Sequence, residues 1–209
     1  MSDFVAGLLA HAEPEIRKQL GHPFVRGLAD GTLSEERFAF FLAQDFAFLA
    51  DYGRALRRAA ELAPQPDWRR RLTEIAAGAA ADELELHRGW AAEHGLDLAA
   101  VEPSATTRAY GGFLTEPHPF PVLVAALLPC FWGYAELGRR LAAAPTAPRY
   151  ARWLATYADP AFAEAARWFV ELAAACAEPD ARPAMRAAFA RSLAFEAAFW
   201  DAAWELRSS

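Results

Sequence analysis

Apolar residues along this chain recur three and four positions apart almost everywhere, and no stretch alternates apolar and polar residues with a period of two. That spacing lays apolar side chains along one face of an α-helix. Ala, Leu, Glu and Arg dominate and β-branched residues are scarce, so the pattern predicts an all-α fold. Prolines, glycines and capping residues divide it. A first helix is expected after Ser2 or Asp3, interrupted near Pro14, and a short piece after Pro23. Asp30-Gly31 signals a turn, and Thr32 with Glu35 gives the T-x-x-E pattern of a capping box. It opens a long helix from about Ser34 to Leu62, ended by Pro64 and Pro66. A second long helix is expected from Asp67 to His94, with Gly95 closing it. Ser104 caps a shorter helix through Tyr110 to Leu114. Pro119 and Pro121 precede a helix from about Val122 to Ala143, in which Pro129 predicts a kink directly before Cys130. Tyr150 to Tyr157 reads as a short helix, Asp159-Pro160 as the cap and first residue of the next, and Pro183 to about Leu206 as the last.

No linker, repeat or low-complexity tract interrupts this order, so residues 1–209 are expected to form a single domain. Hydrophobic residues make up 55% of the chain, enough for a sizeable core. Phe38, Phe40, Phe41, Phe46 and Phe48 nearly encircle one helix, and a helix apolar all round lies centrally or at a subunit interface. Lys and Arg number 21 against 27 Asp and Glu, for a net charge of −6. Nucleic-acid binders carry a basic excess, so that class is disfavoured. The short runs Arg57-Arg58, Arg69-Arg70-Arg71 and Arg139-Arg140 read as solvated helix faces or helix-end partners. The two cysteines, Cys130 and Cys176, fit neither a disulfide framework nor a zinc motif. No basic segment precedes an apolar core at the N-terminus, and the longest apolar run, Val122 to Leu128, is far shorter than the roughly 20 residues of a membrane span. A cytoplasmic location is expected.

Three residues stand out chemically. Cys130 shares a helical face with Leu127, Tyr134 and Leu137, yet by spacing alone a lone cysteine in an apolar helix is a small core residue. Asp45 interrupts an apolar run on a face with Phe41, Phe48 and Tyr52. A carboxylate buried there must be paired or hydrogen-bonded, whether to a polar ligand, a neighbouring helix end or a buried Arg. Glu196 lies among Phe195, Ala197 and Phe199, where burial suits either a general acid or a structural ion pair. Metal patterns are weak. No histidine has a Glu three positions before it, and only Glu83 with His87, four apart, offers a pair.

The combination carries more than its parts. His22-Pro23-Phe24-Val25, then Asp30-Gly31-Thr32-Leu33, then Gln44-Asp45 resembles the opening of the TenA family, the thiaminase II enzymes. Leu127-Leu128-Pro129-Cys130-Phe131-Trp132-Gly133-Tyr134-Ala135-Glu136-Leu137-Gly138 resembles that family's cysteine motif. Thr156-Tyr157 and Phe195-Glu196 with Phe199-Trp200 resemble two further blocks, in the family's order across nearly the whole chain.

The resemblance implies a haem-oxygenase-like helical bundle and a homotetramer. It implies a hydrolase of thiamine salvage that releases hydroxymethylpyrimidine from aminopyrimidine or thiamine, with no metal or organic cofactor. Cys130 would be the nucleophile and Glu196 the proton shuttle. Asp45 would bind the amino group and an adjacent ring nitrogen. Phe48 and Tyr134 would flank the ring, and Tyr110 and Tyr157 would line the pocket. The chain departs from the family in carrying Phe46, Phe48, Phe195 and Ala197 where tyrosines are common, which bears on the leaving group and the activity level. Competing readings are another pyrimidine or amine substrate, a binding or regulatory role, and a haem or di-iron enzyme on the same fold.

Overall fold

The computed structural model describes residues 3–142 and 148–207, and among them it contains nine α-helices, one 3-10 turn at Leu98–Ala100 and no strand. The helices are α1 (Asp3–Gly21), α2 (Pro23–Asp30), α3 (Glu35–Leu62), α4 (Pro66–His94), α5 (Ala105–Thr115), α6 (Phe120–Leu141), α7 (Pro148–Ala158), α8 (Pro160–Ala175) and α9 (Arg182–Glu205). The expected boundaries at Ser2 and Ala143 lie outside the described residues.

Most helix starts follow the capping chemistry written in the sequence. Ser104 Oγ accepts from the Thr107 amide at the head of α5 (3.1 Å), and Asp159 Oδ1 accepts from the Ala161 amide before α8 (2.7 Å). Two expectations fail. The T-x-x-E box does not form, because the Thr32 hydroxyl and amide both donate to Asp30 Oδ1 (2.6 and 2.9 Å). Those bonds hold the Asp30 carboxyl below its ordinary range, the hydroxyl contributing most. Ser34 caps α3 instead, accepting from the Arg37 amide. Nor is α1 interrupted at Pro14. Pro14 and Ala10 both lie on the exposed face, so water can serve the carbonyl that proline leaves unpaired, and the buried stripe Phe4, Val5, Leu8, Ala12, Ile16 carries the helix through. Helix α3 ends at Leu62, ahead of Pro64, as expected, and Pro66 occupies the first turn of α4, where a missing amide costs nothing.

Contacts gather into two compact units: Met1–Leu33 with Pro119–Ala197, and Ser34–His118 with Ala198–Ser209. In the first unit, α6 packs against α7 and α8, and α1 packs against α2, α6 and α8. Val122 to Pro129 of α6 are all buried, and Phe131 stacks on Phe169 of α8 (centroids 5.1 Å apart). Helix α6 is long and apolar enough to cross a bilayer by composition, but its apolar residues are mostly buried within this unit, as in a core helix. In the second unit, α3 packs along both α4 and α5. Phe41 stacks on Trp200 of α9 (5.2 Å), and Phe38 meets the edge of Trp90 on α4 (5.3 Å). Phe40 and Phe46, on the same helix, stay half-buried.

Candidate active site

The first unit holds Cys130, Tyr134, Tyr157 and Glu196. Cys130 follows Pro129 inside α6, which continues unbroken through the proline, and its side chain is half-buried. Tyr134, one turn on, is buried with its ring 4.7 Å from that of Tyr157 on α7. Trp153 lies 4.7 Å from Tyr157 as well, and Phe162 of α8 at 5.2 Å. The thiol is thus on the helix that carries one edge of an aromatic cluster. Two devices hold this arrangement. A Cβ on Gly138 would fall 2.2 Å from the Tyr157 carbonyl oxygen, so only glycine lets the α7 backbone lie against α6 there. The buried Ser192 hydroxyl of α9 donates to the Ala126 carbonyl of α6 (2.6 Å). Ser192 precedes Glu196, and Ala126 precedes Cys130, each by one helical turn. Glu196 itself is 6% exposed, deep for a carboxyl group.

An ion network ties α1 to α6. Arg140 donates to Glu13 (2.7 Å) and to Glu136 (3.0 Å). The Arg140 bond holds the Glu13 carboxyl below its ordinary value. Partial burial works to raise the Glu136 carboxyl, but the bonds from Arg139 and Arg140 outweigh it and leave it lowered.

The second unit holds Asp45, Phe48 and Tyr110, all buried. Phe48 stacks on Tyr110 (4.6 Å, 29°) and lies 5.8 Å from Phe199. Gln44 and Asp45 are successive residues on α3, and each clasps a different neighbour. Gln44 Oε1 accepts from the Ser104 amide and the Thr107 hydroxyl (both 2.7 Å), while its Nε2 donates to the Glu102 carbonyl (3.1 Å). These bonds seat the head of α5, the helix that brings Tyr110 onto Phe48. Asp45 Oδ2 lies 2.9 Å from Nε2 of His87 on α4, which is completely buried.

A sequence profile of the TENA/THI-4/PQQC family matches residues 9–206. The chain belongs to this family. Among its members, the aminopyrimidine aminohydrolase of Halalkalibacterium halodurans is 31% identical over 98% of this chain and 96% of its own. The solved TenA homologue from P. horikoshii OT3 superposes with a TM-score of 0.88 at 28% identity, covering 97% of this chain and 98% of that one. A Shewanella denitrificans domain described as having a heme oxygenase-like fold, 14% identical over 96% of this chain and 91% of its own, gives a TM-score of 0.75. The all-α, haem-oxygenase-like architecture expected from the sequence is therefore the one observed.

The structure gives physical meaning to three residues of the TenA-like motifs. In the Glu-x-Gly of the cysteine block, Glu136 anchors the ion network and Gly138 admits α7. In the Gln-Asp pair, Gln44 seats α5. His87 is the residue that sequence reasoning missed. Its spacing offers it to Glu83 as a metal pair, whereas the structure sets it against Asp45; the side chain of Glu83 lies outside the described residues. The available signal was its position one turn before the buried Ala91. Among the described residues, no three His, Cys, Asp or Glu side chains gather as a metal site.

Proposed function

We propose that this TenA-family protein is a hydrolase of thiamine salvage, an aminopyrimidine aminohydrolase (thiaminase II) that releases hydroxymethylpyrimidine from 4-amino-5-aminomethyl-2-methylpyrimidine and from thiamine. The observation that carries the reading is the match of almost the whole chain to an enzyme described as an aminopyrimidine aminohydrolase. Displacement at the exocyclic carbon of an aromatic ring is slow unless a nucleophile first breaks the aromaticity. The Cys130 thiolate adds to a ring carbon while a ring nitrogen takes up a proton. The electron pair so placed expels the exocyclic amine, whose nitrogen receives a proton from Glu196. Water adds to the methylene left behind and returns its proton to Glu196, and loss of the thiolate together with the proton on the ring nitrogen restores the ring.

Asp45 binds the amino group and adjacent ring nitrogen. Phe48 and Tyr134 flank the ring, while Tyr110 and Tyr157 line the pocket. Burial favours the shuttle role, because an acid held out of water surrenders its proton to the amine rather than to solvent. The same reading includes a single domain, a homotetramer and a cytoplasmic location.

The test is to incubate the purified protein with aminopyrimidine and, separately, with thiamine, beside Cys130→Ser. Release of hydroxymethylpyrimidine by wild type and its loss in the variant are expected. No release by wild type from either compound, or equal release by the variant, overturns the reading.

A further inference from the structure

His87 and Asp45 form a buried pair that the mechanism above uses only by half. His87 has no exposed surface and Asp45 is 5% exposed, with 2.9 Å between Nε2 and Oδ2. Removing both groups from water is costly unless their polar atoms are bonded, and this contact supplies a bond. Their helices are held in register by Phe38 of α3 against Trp90 of α4, three residues beyond His87, and Trp90 in turn stacks on His94 (3.9 Å).

We propose that His87 is the positioning residue for Asp45, acting through Oδ2 to settle how the carboxyl group meets the ligand. A carboxylate can only accept, so in the proposed arrangement the proton of this bond is carried by Nε2. The donated N–H takes one lone pair of Oδ2 and leaves Oδ1 and the other lone pair of Oδ2 for the ligand. An amino group beside a ring nitrogen can make two bonds to a carboxylate only when that nitrogen also carries a hydrogen. The pair therefore selects the N-protonated ring, which is the more electrophilic form toward a thiol. The ligand class is any heteroaromatic with an amino group adjacent to a basic ring nitrogen. A ring with an oxo group in that place is rejected, because its oxygen would face the carboxylate. This inference rests on the proposed function.

Three substitutions test it, with kcat/KM for aminopyrimidine as the readout and melting temperature as the check on folding. His87→Gln keeps an N–H donor at similar reach, and its kcat/KM is expected within roughly fivefold of wild type. His87→Phe keeps the volume and loses the donor, and a fall of about 100-fold is expected, the scale of a misplaced binding group. In an Asp45→Asn background, His87→Phe should change kcat/KM by no more than about twofold, because its effect runs through the carboxylate.

A folded His87→Phe protein with wild-type kcat/KM overturns the inference, and so does a His87→Phe loss that persists undiminished beside Asp45→Asn. If His87→Phe does not fold, His87→Gln decides alone: retention supports the inference, and a loss as large as that of Asp45→Asn overturns it. If wild type shows no turnover, or Cys130→Ser keeps it, the proposed function fails first and takes this inference with it. Loss in Cys130→Ser with full activity in His87→Phe removes only the role of His87.

Discussion

Cys130 and Cys176 share a chemistry and differ in setting. Cys176 ends α8, buried, with its thiol 3.7 Å from the Ala173 carbonyl, and burial pushes its pKa up to about 12. At pH 8 only about one Cys176 in ten thousand is then a thiolate, the form that reacts. Cys130 is half-buried. Iodoacetamide at pH 8 should therefore modify one thiol per native chain and none in Cys130→Ser, with both modified in denaturant. Mass spectrometry of the digested protein checks this, and prior modification of Cys176 would count against the assignment. Asp45 stood out in the sequence as a carboxylate in an apolar run, and its burial agrees with that. Its partner did not stand out, because His87 lies 42 residues away. Apolar spacing shows which face of a helix is buried, but not which other helix covers it.

Among the elements, start and stop signals were legible wherever one local bond decides them, as at Ser104, Asp159 and Gly95, whose φ of 68° closes α4. They misled where two local bonds compete. Thr32 could cap α3 or fold back on Asp30, and spacing does not rank the two. The seat of α7 on α6 was likewise invisible, since it depends on a missing side chain. Gly138→Ala should gain at most about 1 kcal/mol of helix propensity. It would force the added methyl onto the Tyr157 backbone, which cannot swing aside as a side chain can. A net loss of about 2 kcal/mol is expected in urea denaturation.

Arg140→Met tests the clasp between α1 and α6. Its partners Glu13 and Glu136 have lowered pKa values in the fold, so their contribution is present above their ordinary 4.5 and is lost as pH falls through the lowered values. The variant should melt about 2 °C below wild type at pH 7, a difference that closes in acid below pH 4.5. A gap that persists at pH 2 would point to packing rather than charge.

At the scale of the whole molecule, the order of helices and the family were both legible, because motif blocks keep their order along the chain. The two contact units were not, because each is assembled from segments distant in sequence. The proposed tetramer predicts a particle of four times the 22.9 kDa of one chain in sedimentation equilibrium, and a concentration-independent single-chain mass would remove it. The half-buried rings of Phe40 and Phe46 make α3 the first helix to probe for a subunit contact.

Gln44 and Asp45 also constrain how this chain can change length. Successive residues on a helix point about 100° apart. One residue inserted between Ser34 and Gln44 would turn both side chains away together, releasing the head of α5 and the His87 pair in a single event. An insertion in the short joint at 63–65, beyond the end of α3, leaves their bearing untouched. Tolerance to added residues should therefore switch from intolerant to permissive along one helix and its exit, a boundary that an insertion scan would read directly.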